Sequence, residues 1–374
     1  MIFGTLRTLG FRNLADAEID TQGKDVFLVG ENGQGKTNFL EAVYFCSYAS
    51  SFRGVADSEV VREGEQQSAV AAHFVGSGDR DGSLDQPLYD QVRVTYEYRK
   101  KNVYLDGKRI EDRRDLLGVA PSIVFCHEDM EFVTGSPERR RWFFDQTLGL
   151  SDPGYLEDLR KYRRVLKTRN TLLKTGAEHP AGPSLVPILN ALDPQLACYG
   201  LKLMEKRQEA AAGFSATFGT LYEQVTGLDH LGLRYVPSWK DLTLEGIHCF
   251  LDEHRERDMA SGLTLSGPHR DRYLFIRGAT EFAGKASTGQ RRLLALLLRV
   301  AQARRFSELT GKYPVLLLDD VLLELDPEKR WKFLSALPDY AQAFFTFLPD
   351  EPYHRYHKSE ALVYQVSQGS LSPA

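Results

Sequence analysis

The chain has 374 residues, 42% of them hydrophobic and 26% charged, with a formal net charge of −4. That length suits two domains with real cores, and the charge balance excludes a histone-like partner while leaving room for a local basic face. Four scattered cysteines (Cys46, Cys126, Cys198, Cys249) form neither a CxxC pair nor a His/Cys cluster, which argues against a disulfide framework and a zinc site and for a reducing cytoplasm. No run of about 18 apolar residues is present, so no membrane span and no membrane partner is expected.

In chain order, alternation predicts a strand over residues 3–9 and a buried strand over 25–29, then a glycine-rich turn and a helix over 38–48. Residues 68–75, 91–98 and 102–105 read as antiparallel strands, and Asp106-Gly107 is a hairpin turn. Residues 121–126 make another short strand. From Pro137 to about Gln224 the pattern is helical. There Leu156, Leu159, Leu166 and Leu173 form an apolar stripe, and Arg160, Arg163, Arg164 and Lys167 fall away from it. A loop at 176–187, rich in Gly, Pro and His, separates two helices of an antiparallel pair. After a mixed stretch over 231–273 come a strand at 273–276, a helix at 289–309, and strands at 314–318 and 343–347. The tail, 367–374, is expected to be disordered. The pattern predicts one discontinuous α/β domain, 1–136 with 260–374, and a helical insertion over 137–259.

Gly30-Glu31-Asn32-Gly33-Gln34-Gly35-Lys36-Thr37 has the spacing GxxxxGK[ST] between an expected strand and a helix beginning near Asn38. Glycines let backbone N–H groups curl around a phosphate, and the helix N-terminus adds positive potential. Lys36 is placed to reach the β- and γ-oxygens and Thr37 to offer its hydroxyl to Mg²⁺. The segment predicts a nucleoside triphosphate site.

Val315-Leu316-Leu317-Leu318-Asp319-Asp320 is an apolar run feeding two carboxylates, the form of a buried parallel strand ending at a phosphate site. Asp319 is the candidate for holding Mg²⁺ through water and Asp320 for polarising the attacking water. Downstream, Glu324 and Asp326 precede a helix that Asp326 can cap. Ser287-Thr288-Gly289-Gln290 opens an apolar helix, ordinary capping chemistry taken alone. The spacing from Ser287 to Asp319, however, leaves room for one helix, a turn and a strand. That places this helix beside the acidic strand with its N-terminus exposed, to clamp the γ-phosphate bound by a second copy of the chain.

Phosphate loop, serine-glycine-glutamine signature and acidic strand, in this order, resemble the ATP-binding-cassette ATPases, in the branch of chromosome-structure and double-strand-break-repair proteins. Within it the sequence is similar to the RecF family. The resemblance also rests on Leu9-Gly10-Phe11-Arg12-Asn13-Leu14, Ser51-Phe52-Arg53, Phe125-Cys126-His127-Glu128-Asp129, Gly135-Ser136-Pro137-Glu138-Arg139-Arg140-Arg141 and Leu265-Ser266-Gly267-Pro268-His269-Arg270-Asp271.

The resemblance implies a P-loop ABC-type ATPase head of mixed α/β sheets with a helical arm, using ATP and Mg²⁺. It further implies an ATP-dependent homodimer on double-stranded DNA or gap junctions, with slow hydrolysis on release. The partners would be RecR with RecO, and indirectly RecA, loaded at single-strand gaps. By motif it assigns Lys36 and Thr37 to the nucleotide loop, and Asp319 and Asp320 to metal and hydrolysis. Ser287, with Gly289 and Gln290, makes the contact across the dimer. Glu128 stands near the place of a metal-sensing glutamine, and Arg53 resembles an arginine that reaches the nucleotide phosphates. His127, Thr288 and Leu323 depart from the family pattern. DNA affinity is expected from phosphate contacts by Arg139, Arg140, Arg141, Arg160, Arg163, Arg164 and Lys167, although such runs are usually solvated helix faces. A transporter's nucleotide-binding subunit and a non-hydrolysing nucleotide sensor share the phosphate loop and are the rival readings.

Overall fold

The computed structural model describes residues 1–76, 90–112, 114–178, 185–323, 325–355 and 361–374. The chain forms two compact units, Met1–Asp129 with Phe306–Ala374, and Met130–Arg305.

In the first unit β1 (Ile2–Leu9), β2 (Ala17–Asp20), β3 (Asp25–Val29), β4 (Ser68–Val75), β5 (Gln91–Glu97), β6 (Lys100–Leu105), β7 (Lys108–Ile110) and β8 (Ser122–Phe125) come first. The second unit contributes β9 (Leu231–Val236), β10 (Arg272–Arg277) and β11 (Thr280–Glu281). The chain then returns with β12 (Val315–Leu318), β13 (Gln342–Phe347), β14 (Leu362–Ser367) and β15 (Ser370–Pro373).

Two six-stranded sheets build the first unit. One is antiparallel, in the order β2-β1-β4-β5-β6-β7. Its alternating strands turn Val70, Val92, Val94, Val103 and Leu105 inward, where they are buried. Asp106-Gly107 turns β6 into β7 with both residues at positive φ, and Tyr98-Arg99 turns β5 into β6 in the same way. The other sheet runs β15-β14-β3-β13-β12-β8, parallel except for β15. β3, β8, β12 and β13 are buried at every position, as strands covered on both faces are; β12 is wholly apolar, while Asp25, Ser122, Gln342 and Thr346 are buried polar positions in the others. The helix Lys36–Tyr48 is buried on nearly all sides, sharing one core cluster with residues of both sheets. Gln342 ties the two sheets: its Oε1 accepts from the Phe3 N–H at 2.8 Å, and its amide donates to the Thr21 carbonyl at 2.6 Å.

The second unit holds long helices, Pro137–Ser151, Pro153–Glu178 and Val186–Thr226, with a small sheet ordered β11-β10-β9. Of the expected stripe, Leu159 and Leu173 are buried and Leu156 and Leu166 partly so, but the same buried side also carries Arg169. Its guanidinium pairs with Asp193 at 2.8 Å and Asp258 at 2.7 Å. A second buried arginine, Arg207, donates to Asp145 and Asp271 and to the Pro268 carbonyl. Asp271 also accepts from the Tyr235 hydroxyl, so the Gly267-Pro268-His269-Arg270-Asp271 run serves as a packing knot.

The second of the two compact units ends at Arg305, and within it β10 pairs along its whole length with β9. Two expectations are corrected. The tail is ordered: β14 and β15 form a hairpin through Gln368 and Gly369, at φ 49° and 80°. This is a two-residue turn whose first position is a glutamine rather than the usual Asn or Asp. Of the expected loop at 176–187, Gly176 ends inside a helix and Pro187 sits in the first turn of the next; residues 179–184 lie outside the described residues.

Candidate nucleotide-binding site

Parallel register brings the chemistry to one sheet edge. β3 ends at Val29 and runs into the glycine loop, while the neighbouring strands β13 and β12 end at Phe347 and Leu318. Gly30 N–H donates to the Phe347 carbonyl at 3.1 Å, and Asp319 N–H to the Phe125 carbonyl at 2.9 Å. The carboxyl ends of adjacent parallel strands thus meet where ligands bind in open α/β sheets.

The loop itself has the backbone its glycines predict. Gly33 and Gly35 sit at φ 78° and 116°, and a Cβ at Gly30 would collide with the Val366 carbonyl oxygen. Lys36 is buried; its ammonium donates to the carbonyls of Gly30 at 2.6 Å and Glu31 at 3.2 Å. Outside the loop, Asn13 donates to the Gly33 carbonyl at 3.3 Å and accepts from Asn38 at 2.7 Å. The tail hairpin supports the same loop: Gln368 N–H donates to the Gln34 side chain and Gly369 N–H to the Gln34 carbonyl. A cleft is lined by Glu31, Asn32, Gly33, Gly35, Lys36, Thr37, Asn38, Arg53 and Asp320.

Thr37 and Asp319 are brought together although 282 residues separate them: the threonine hydroxyl donates to Asp319 Oδ1 at 2.8 Å. Burial pushes the Asp319 carboxyl up to about 6; Asp320 and Glu128 add to that, and the Thr37 hydrogen bond and Arg53 oppose it. Asp320 stands at φ 51° and is held by Thr346, whose hydroxyl accepts from its N–H at 2.7 Å and lies 2.8 Å from its Oδ1. Glu128 is exposed on the short turn His127–Met130 and is felt electrostatically at Asp319. Arg53 reaches the cleft and is held 3.5 Å from Glu41.

Glu41 was not among the expected site residues. It is fully buried in the helix that follows the loop, where it takes a two-pronged contact from Arg12 at 2.9 and 3.0 Å and accepts from Ser51. The signal was there: a lone acid inside the apolar run Phe39-Leu40-Glu41-Ala42-Val43 must have a cationic partner. Glu351 is a second such acid. Burial raises its carboxyl above the usual range, with Arg330 and Lys36 opposing and Asp320 adding to the rise. Nothing local marks it, since it follows β13 on an irregular loop.

Ser287, Gly289 and Gln290 lie in the second unit. Ser287 N–H donates to the Gln290 side chain at 2.8 Å and Gln290 N–H to the Ser287 hydroxyl at 3.3 Å, a reciprocal cap on the helix Thr288–Thr310. Ser287 and Gly289 are exposed. Among the basic candidates, Arg140 and Arg141 are engaged internally, donating to the carbonyls of Tyr273 and Asp271. Arg163 lies 3.3 Å from Asp145. Arg139, Arg160, Arg163, Arg164 and Lys167 are exposed. Glu324 lies outside the described residues; Asp326 caps the helix Pro327–Ala336 through the Lys329 N–H. No helix among the described residues is long and apolar enough to cross a membrane.

Comparison with known proteins gives a consistent picture. The model of the RecF/RecN/SMC N terminal domain family matches residues 3–369. "DNA replication and repair protein RecF" of Treponema pallidum is 41% identical, over 98% of this chain and 99% of its own length. The RecF of Halalkalibacterium halodurans is 33% identical over 96% of each. A structure of the recombination mediator protein RecF with ATP, of the RecFOR pathway, superposes with a TM-score of 0.85 at 25% identity, covering 100% of this chain and 97% of that one. An Smc head bound to the C-terminal winged-helix domain of ScpA superposes at 0.54 with 15% identity, covering 100% of this chain and 98% of its own, and shares the fold.

Proposed function

The chain belongs to the RecF branch of the RecF/RecN/SMC family, with the fold of its ATPase heads, and from that premise we propose that it is an ATP-hydrolysing DNA-repair protein that dimerises on DNA when ATP is bound. The observation that carries this reading is the meeting of Lys36, Thr37, Asp319 and Asp320 at one sheet edge. ATP enters with its phosphates against the N–H groups of the glycine loop and the positive end of the helix Lys36–Tyr48. Lys36 gives up its two carbonyl partners for β- and γ-oxygens.

Thr37 and Asp319 fit a magnesium ion, because a hydroxyl and a carboxylate side by side are hard oxygen donors. Bound there, the ion would offset phosphate charge. Asp320 orients water and takes its proton as the water oxygen bonds to the γ-phosphorus. The bond from that phosphorus to the bridging oxygen breaks, and ADP and phosphate leave. Glu128 and Arg53 border the phosphates.

Half the pocket belongs to a second copy. Ser287, Gly289 and Gln290 cap the γ-phosphate held by the partner, so ATP joins two chains and hydrolysis, slow because the shared phosphate must stay bound, lets them part. DNA is held through its phosphates, with Arg139, Arg160, Arg164 and Lys167 the exposed candidates, and the work in the cytoplasm is loading of RecA with RecR and RecO. Sedimentation of the full chain with ATP, ADP or no nucleotide, with and without duplex DNA, tests the reading. Dimers only with ATP are expected; a nucleotide-independent dimer, or a monomer that turns ATP over at the full rate, would overturn it.

A further inference from the structure

Asp320 is in an unusual position for a residue asked to aim a carboxylate. β12 ends at Leu318, and the chain then turns left-handed at Asp320, φ 51°, a conformation uncommon outside glycine that aspartate enters more readily than most residues. The group that bonds to it there is on the next strand. Register pairs Leu318 with Phe345, which sets Thr346 level with Asp319, one residue past the end of β12. The Thr346 side chain is buried. Its oxygen accepts the Asp320 N–H at 2.7 Å, which leaves its own proton to give; the nearest acceptor is Asp320 Oδ1 at 2.8 Å, while Asp319 Oδ1 is at 3.4 Å. One hydroxyl therefore grips Asp320 at both backbone and carboxylate.

We propose that Thr346 is a positioning residue for ATP hydrolysis, fixing Asp320 so that its second carboxylate oxygen is presented to the attacking water. The inference rests on the reading of Asp320 as the group that activates water. An Oδ1 already engaged by Thr346 cannot swing toward Thr37 or a bound ion, so the two acids keep separate tasks: Asp319 with Thr37, Asp320 with water. Without the hydroxyl, the left-handed turn loses the bond that closes it, and Asp320 samples rotamers turned away from the phosphates. Misplacement by about 1 Å can cost on the order of 100-fold in rate while leaving substrate binding intact.

The test compares Thr346→Val, which keeps shape and strand preference but removes the hydroxyl, with Thr346→Ser, which restores it, in the full chain with saturating Mg²⁺ and ATP. Expected are a fall in kcat of roughly 10- to 100-fold for valine, an ATP dissociation constant within about threefold of the unmodified protein, and recovery to within about threefold with serine. Adding Thr346→Val to Asp320→Asn should change the residual rate by less than about twofold, since the hydroxyl acts only through Asp320. Unchanged kcat in the valine protein, a parallel loss of ATP affinity, or no rescue by serine would overturn the proposal. Asp320→Asn turning over at the full rate would instead remove its premise. Should the valine protein not fold, Thr346→Ser against Thr346→Ala asks the same question, and equal rates in those two would count against the hydroxyl.

Discussion

Glu41 shows what one buried charge demands of its neighbours. A carboxylate with no exposure is tolerable only because Arg12 and Arg53 converge on it, together with the Ser51 hydroxyl. Both arginines keep some contact with water, so removing the acid strands them less severely than in a dry core. Glu41→Ala should lower stability by about 2–3 kcal/mol, read by urea denaturation, and should weaken ATP binding because Arg53 is no longer held at the cleft. Asp319 makes a prediction of the opposite sign. Its carboxyl is raised to about 6 by burial, so the folded, metal-free protein holds a proton that the unfolded chain releases near 4. Stability from this group is therefore greatest below about 4 and declines as pH rises to about 6; thermal melts of Asp319→Asn should lack that decline. Glu41 was readable as an anomaly in an apolar run, but its partners were not, since Arg12 lies 29 positions away.

At the level of elements, the tail hairpin is a strut beneath the phosphate loop. Gly369 occupies a left-handed turn position, donates to the Gln34 carbonyl and accepts from the Ala15 N–H; a Cβ there would strike the Asn13 carbonyl. Gly369→Ala should cost about 1–2 kcal/mol from the turn geometry alone and should lower ATP affinity, measurable by calorimetric titration. Unaltered ATP affinity in that variant would mean that the hairpin does not brace the loop. The phosphate loop, the acidic strand and the Asp-Gly turn were legible because their chemistry is confined to a few consecutive residues. The hairpin was missed because Gln-Gly is a weak turn signal and its strands are short. β9 was missed for a related reason: it earns its place only by pairing with β10, 36 residues or more downstream.

For the whole molecule, the predictions concern association. On the composite site proposed above, Ser287→Arg should abolish ATP-dependent dimers in sedimentation while ATP binding to the monomer stays within about threefold. Duplex affinity should fall linearly with salt on logarithmic axes, and Arg164→Glu or Lys167→Glu should each reduce the slope by about one if it meets a phosphate. By itself the sequence determined the phosphate loop, the buried strand that carries Asp319 and Asp320, and the cap of the helix Thr288–Thr310. Each of these is written in backbone preference and side-chain spacing over fewer than about ten residues. Which strand stands beside which was decided only by the tertiary structure. That register set Thr346 against Asp320, Thr37 against Asp319 and Gly369 against Gln34, because partners on different strands and loops meet only through strand pairing and the packing of a shared core.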